Sequence, residues 1–444
     1  MNPPARDVAR RPLPAWFDDA KFGIFFHWTP ATVPAFAPLT DSPFALAERH
    51  GWDHALANIP YVEWYQNSLA IEGSPVQLHH REVWGDTPYE QFVDAFLGLQ
   101  DGWSAEPWAD IARDSGARYV VFVTKHHDGV LLWPSALSNP LHGARWQSRR
   151  DFVGELASAV RRRGLRFGAY YSGGYDWTFG GLPMHDLPSA VGAILQSDEY
   201  LAYADAHWRE LIDRYEPSVL WNDIGYPMHA DLERLFGDFY DRVPDGVVNN
   251  RFDYSGKVSA DFVTPEYSTD APAGGQKWEA TRGVGRSFGF NAVETSVDYL
   301  SADELVLLLV EVVANGGNVL LNVGPMADGT IPWLQAERVL ALGWWLKVNG
   351  DAIYESRPWT RPSGVTRDGL EVRFTTKGEV LYAIVLGRPA GSSVTLGDVP
   401  DPATGDVRLL GYDGALRWTR RGDGVEVELP GRRDPSPAFT LRLS

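Results

Sequence analysis

Between residues 20 and 350 the sequence alternates repeatedly between short, almost unbroken apolar runs and longer stretches of helical periodicity. A strand that is apolar on both sides needs cover on both sides, which is how a parallel sheet wrapped by its crossover helices is built. Eight runs read as strands: 22–27, 119–124, 165–171, 219–223, 247–251, 262–267, 286–290 and 319–323. Helical patterns at 108–115, 152–163, 199–214, 230–240 and 302–314 fall between them, and a last one at 334–348 follows. The punctuation agrees. Ser301 and Glu304 form a capping-box pattern ahead of an apolar run that ends at Gly316-Gly317, and Asp151 is placed as an N-cap. Eight strand–helix units predict an α/β fold, a (β/α)8-like (TIM-type) barrel.

Beyond about Arg357 the period drops to two. Leu370/Val372/Phe374, Val380/Tyr382/Ile384, Val425/Val427/Leu429 and Phe439/Leu441/Leu443 alternate apolar with polar, and Asp413-Gly414 and Asp423-Gly424 supply turn chemistry. The expected division is a barrel domain at 1–356 followed by a smaller antiparallel β-sandwich at 357–444. The stretch from 35 to 87 has no sustained period and reads as a long loop region with short helices.

A chain of 444 residues, 44% hydrophobic and 22% charged, has the composition of a folded protein with a large core. It has no cysteine, which removes disulfides and thiolate chemistry. The formal net charge of −18 repels phosphate backbones and anionic lipid, so nucleic acid and membrane surfaces are poor partners. Basic residues come only in short groups such as Arg161–Arg163 and Arg432–Arg433. The polar, proline-broken start, Met1 to Asp7, lacks the apolar stretch of a secretory signal, and no run approaches the ~20 apolar residues of a membrane span. A cytoplasmic location is the expectation; oligomeric state is open. Aromatic residues make up 13%. Flat amphipathic rings suit sugar faces, and they equally suit a tryptophan-rich core.

In a barrel of this kind ligands bind at the C-terminal ends of the strands. Those ends carry His27-Trp28, Lys125-His126-His127-Asp128, Tyr170-Tyr171, Trp221-Asn222-Asp223, Asn250-Arg251, Glu266, Phe288 and Asn322. Almost every strand finishes on a polar or aromatic group. Asp223 or Glu266 alone could be a turn former or a solvated edge residue, but together they supply what glycosidic hydrolysis needs. One carboxylate attacks the anomeric carbon or activates water, and the other protonates the leaving oxygen. Adjacent His126 and His127 are expected to point in divergent directions and lack an accepted metal-ligand spacing, so hydrogen bonding to hydroxyls is the more economical role.

Taken in order, Lys21-Phe22-Gly23-Ile24-Phe25-Phe26-His27-Trp28, Glu63-Trp64-Tyr65, Lys125-His126-His127-Asp128-Gly129, Leu220-Trp221-Asn222-Asp223, Thr264-Pro265-Glu266-Tyr267, Lys277-Trp278-Glu279, Ser287-Phe288-Gly289-Phe290-Asn291 and Leu321-Asn322-Val323-Gly324-Pro325 resemble the α-L-fucosidases, a family of retaining glycoside hydrolases. The likeness covers roughly residues 14–360. It implies hydrolysis of terminal α-L-fucose from glycans or glycosides by double displacement, with no cofactor and no metal. Asp223 matches the nucleophile. Glu266 matches the acid/base of one branch and Glu279 that of another; Glu266 is the preferred assignment, with Glu279 then structural and paired with an arginine such as Arg282. The same correspondence gives His27, Glu63, Trp64, His126, His127, Tyr171 and Arg251 contacts to the sugar, with Trp221 and Phe288 on its apolar side. Thr29, Asn250 and Phe252 depart from the commonest pattern, where Gly, Asp and Trp stand. The alternatives are an exo-hydrolase for a related sugar such as α-L-galactose, or an inactive fucose-binding protein, for which a retained carboxylate pair has no use.

Overall fold

The computed structural model describes residues 11–431 and 436–444; the first ten residues and the Arg432–Arg433 pair lie outside the described residues. Seven parallel strands form one curled sheet: β1 Phe22–Phe26, β2 Tyr119–Lys125, β3 Arg166–Ser172, β4 Val219–Asp223, β5 Val247–Val248, β6 Glu279–Gly283 and β7 Asn318–Val323, in the order β5-β4-β3-β2-β1-β7-β6. The two edges, β5 and β6, are linked through residues 262–266 by single parallel bridges: Asn249 to Phe262, Val263 to Trp278 and Glu266 to Thr281. Pro265 has no N–H to give, so this eighth position never becomes a continuous ladder.

Side-chain alternation along the strands builds two apolar layers. Ile24, Phe26, Val120, Phe122, Phe167, Ala169 and Leu321 face outward and pack under the crossover helices. Phe25, Val121, Val123, Tyr170, Val219, Trp221 and Leu320 face inward. Phe17 joins the inner set and plugs the end at which the strands begin, with its ring 4.5 Å from Phe262 and 5.8 Å from Tyr119. The core therefore fills the lower barrel and leaves the upper end free for a site.

The helix ends follow their sequence signals. Ser301 and Glu304 close a reciprocal capping box on helix Ala302–Ala314, and Asp151 accepts the Gly154 N–H at the start of Phe152–Arg162. The expected strand at 286–290 does not exist. Its backbone serves side chains instead: Glu294 accepts the N–H groups of Arg286 (2.5 Å) and Ser287 (3.1 Å), and Glu63 accepts that of Gly289 (2.9 Å). The neighbour of β7 is Glu279–Gly283, whose period of two (Trp278 and Ala280 outward, Glu279 inward) was present in the sequence but masked by its charges.

From Arg357 onward come β8 Arg357–Val365, β9 Glu371–Lys377, β10 Val380–Leu386, β11 Ser393–Leu396, β12 Val407–Leu409, β13 Trp418–Arg421, β14 Gly424–Glu428 and β15 Ala438–Leu443. They form a five-stranded sheet (β12-β15-β10-β9-β8) and a three-stranded one (β11-β14-β13), all antiparallel. They share a core that includes Val372, Phe374, Val385, Val394, Val425 and Leu441, which makes this part a sandwich. No helix among the described residues is long and apolar enough to cross a membrane.

Candidate active site

At the C-terminal ends of the strands lies a cavity of about 670 Å³. Its lower part is lined by His27, Glu63, Trp64, His126, His127, Tyr170, Trp221, Asp223, Arg251, Glu266 and Phe288, so the structure gathers residues spread over more than 250 positions of sequence.

The two carboxylates are joined by one guanidinium. Arg251 donates from one terminal nitrogen to Asp223 Oδ1 (2.8 Å) and from the other to Glu266 Oε2 (3.2 Å). The Tyr170 hydroxyl donates to Asp223 Oδ2 (2.8 Å), and that of Tyr61 to Glu266 Oε1 (2.6 Å). Arg251 is itself fixed by Thr264, at 2.9 Å to its hydroxyl and 3.1 Å to its carbonyl, and it lies 4.7 Å over the Trp221 ring. Each carboxylate is followed by a strained residue. Ile224 has φ 56° and Tyr267 φ 51°, left-handed values that cost a β-branched or bulky side chain about 1–2 kcal/mol. Such strain persists only where the surroundings over-determine it. Here the Asp223 carbonyl accepts the N–H groups of Gly173 and Gly174, and the Tyr267 hydroxyl donates to the Arg286 carbonyl.

Around this pair the hydrogen-bonding polarity of the pocket is set from behind. Asn322 donates to the Phe288 carbonyl (2.6 Å), so its oxygen faces His27 Nδ1 (2.6 Å). The His27 proton is thereby placed on Nδ1, leaving Nε2 a bare acceptor. Ser172 gives its proton to the Tyr175 carbonyl (2.7 Å) and accepts from His127 Nδ1 (2.6 Å). His127 Nε2 is then also a bare acceptor, buried without a protein partner and 4.0 Å from Asp223 Oδ2. Burial pushes both imidazoles down, His27 to about 4 and His127 to about 3, so they stay neutral. The two adjacent histidines do not diverge as expected. A register shift between Val123 and Lys125 ends the regular alternation, and the His126 and His127 rings lie 4.0 Å apart on the same side. Ligand atoms of His126, His127 and Asp223 fall within 4.8 Å of one another. The Arg251 cation on the same carboxylate opposes a second positive charge there, and neutral hydroxyl partners suit the set better.

Glu63 supplies the opposite polarity. Its Oε2 accepts from the Gly289 N–H, and burial pushes the carboxyl up to about 8, so at neutrality it is a protonated donor. Between the ordinary value of 4.5 and about 8 the folded protein holds one proton at this group that the unfolded chain has lost. Its contribution to stability therefore falls as pH rises through that window. Glutamine has no proton to lose, so the melting temperature of Glu63→Gln relative to wild type is expected to improve steadily from about pH 5 to about pH 8 and then level off. A difference that stays constant across paired thermal melts would mean that the folded state does not hold this proton.

Two predicted residues are elsewhere. Tyr171 is one step out of phase with Tyr170 and faces the helices, where its hydroxyl meets His207 Nδ1 (3.0 Å) and Lys125 lies 4.4 Å over its ring. Glu279 is fully buried inside the barrel below the cavity, accepting from the Tyr119 hydroxyl and the Trp221 indole N–H (3.0 Å). It does not pair with Arg282, which stands three positions along the same strand and so on its opposite face. Tyr61 was missed, and Tyr170, named at its strand end, was passed over in favour of Tyr171. Tyr170 lies near the end of β3 in phase with the inward-facing Val121 and Trp221, and Tyr61 stands two positions before Glu63 on the same approach to the pocket.

Known proteins resemble this chain along almost its whole length. The family model described as Alpha-L-fucosidase matches residues 1–351, and that of the Alpha-L-fucosidase C-terminal domain matches 368–444. The rat plasma α-L-fucosidase is 35% identical over 97% of this chain and 90% of its own length, and the Dictyostelium discoideum α-L-fucosidase 33% over 98% and 90%. The crystal structure of the Thermotoga maritima α-fucosidase in complex with fucose is 40% identical, covers 98% of each chain and superposes with a TM-score of 0.87. The chain belongs to the α-L-fucosidase family.

Proposed function

We propose that this hydrolase removes terminal α-L-fucose with retention of configuration, through a covalent ester on Asp223 and with Glu266 as acid and base. The observation that carries the reading is the Arg251 guanidinium bonded to both carboxylates at once. Two carboxylates held on one cavity by a single cation form the pair that double displacement requires, one to attack the sugar and one to give and take the proton.

In the first step an Asp223 oxygen attacks the anomeric carbon while Glu266 gives its proton to the leaving oxygen. Tyr170 and Arg251 hold the Asp223 oxygens in line, so little reorganisation accompanies attack. In the second step Glu266 takes a proton from water, which displaces Asp223 from the sugar. The acceptors His27 Nε2 and His127 Nε2 and the donor Glu63 complement the ring hydroxyls, while Phe288 and Trp221 offer apolar surface to the rest of the ring. A proton NMR time course on nitrophenyl α-L-fucoside tests the reading. The first fucose released is expected to be the α anomer, mutarotating later to β. Initial release of the β anomer would overturn the retaining mechanism, and no release at all the sugar assignment.

A further inference from the structure

The floor of the pocket is polar, but its upper walls are not. On one bank Phe44, Trp52 and Leu56 come from helices Pro43–His50 and Trp52–Ala57; on the other, Leu187 and Val191 come from helix Leu187–Gly192, with Ile194 just after it. Phe44 is 55% exposed and Val191 60%, so large apolar side chains stand open to the cavity mouth. The rings of Phe44 and Trp52 meet edge to face at 5.9 Å, giving this bank a firm aromatic corner.

Both banks begin beside the catalytic pair. Ile59 and Tyr61 pack with Phe288, and the Tyr61 hydroxyl bonds Glu266, so the first bank rises from the proposed acid. Ile194 lies against Gly225, where a Cβ would come within 3.6 Å of it, two residues past Asp223. The leaving oxygen must sit against Glu266, so whatever it carries leaves the pocket between these walls. A second sugar there would present several hydroxyls, yet the upper walls are mostly hydrocarbon, with the Trp52 indole N–H and the Tyr254 hydroxyl among their few polar side-chain groups. Hydroxyls taken from water without partners are costly, whereas apolar surface gains from the same burial. The volume of about 670 Å³ is also in the range of drug-sized ligands and exceeds what a single pyranose fills.

We propose that the leaving-group side of this site is built for an apolar aglycone, the alkyl or aryl part of a fucoside, in preference to a second sugar. The proposal rests on the fucosidase reading of the site. The test is kcat/KM across n-alkyl α-L-fucosides from methyl to octyl, whose leaving groups differ little in acidity, measured beside fucosylated disaccharides. Burial of each methylene is expected to raise kcat/KM about fourfold until the walls are covered, on the order of 1,000-fold from methyl to hexyl if all five added methylenes are buried. Octyl fucoside should then exceed every disaccharide. Phe44→Ser and Val191→Asn are each expected to lower the octyl-to-methyl ratio about tenfold, a readout in which any general loss of activity cancels. A flat alkyl series with methyl fucoside turned over normally would overturn the aglycone proposal and leave the fucosidase reading intact. So would a preferred disaccharide. Failure to hydrolyse any fucoside, methyl included, would overturn both.

Discussion

Asp223→Ala is expected to lower kcat/KM for an aryl α-L-fucoside on the order of 10⁴-fold or more, the scale on which loss of an attacking group acts. The loss should be chemical and not structural. Asp223 ends β4, its carbonyl bonds to Gly173 and Gly174 do not involve the side chain, and its carboxylate faces the cavity. Removal leaves Arg251 still bonded to Glu266 and Thr264, so the surrounding frame persists. It also opens space on the face from which attack occurs. Added azide, small and anionic, is drawn to the freed guanidinium, and it should restore turnover and give β-L-fucosyl azide. Chemical rescue with that stereochemistry is the signature of a nucleophile. A variant that keeps near wild-type activity, or a rescued product of α configuration, would refute the assignment.

The two glutamates are expected to separate cleanly. Glu266→Ala should reduce kcat/KM by about 10²–10⁴-fold for substrates with poor leaving groups, and far less for nitrophenyl fucoside, whose departing oxygen needs little protonation. Glu279→Gln should show no such dependence on leaving group. Glu279 accepts the Trp221 indole N–H, and Trp221 stacks on Tyr170 (ring centroids 5.4 Å, 24° apart) and under Arg251, the two donors that hold Asp223. Loss of the carboxylate leaves a buried donor poorly matched, an effect of about 1–3 kcal/mol on folding. A lower melting temperature with a uniform change in kcat across substrates is therefore the expected pattern for Glu279→Gln. If its activity loss grew with leaving-group pKa and that of Glu266→Ala did not, the assignments would be reversed. The same measurements on both variants decide between them.

Much of the frame was legible in the sequence because it is written locally. Apolar runs such as Tyr119–Val123, which need cover on both faces, predict a parallel sheet, and the Ser301–Glu304 cap and the two-residue period after Arg357 need only neighbouring residues to be read. The strand ends identified Asp223, Glu266, Arg251 and the histidine pair as candidates, since barrel geometry directs those ends to one face.

The irregular closure of the barrel was not legible. Residues 286–290 look like a strand, yet their N–H groups are claimed by Glu294 and by Glu63, a side chain more than 200 positions away. Residues 262–267 also look like a strand, and Pro265 reduces them to single bridges. The first case depends on a distant partner, the second on which face of the proline the neighbour approaches.

By itself, then, the sequence determined the fold class, the family and most of the strand ends, and it narrowed the acidic candidates to Asp223, Glu266 and Glu279. Only the tertiary structure decided that Tyr170 and not Tyr171 reaches Asp223, that His126 and His127 share one wall, and that Glu279 lies beneath the cavity while Glu266 borders it. The physical reason is parity. Side chains on a strand alternate every residue, so one shift of register exchanges pocket for core. That register is set here by pairing with strands distant in sequence and by the irregularity beside Lys125, neither of which is written in the residues it displaces.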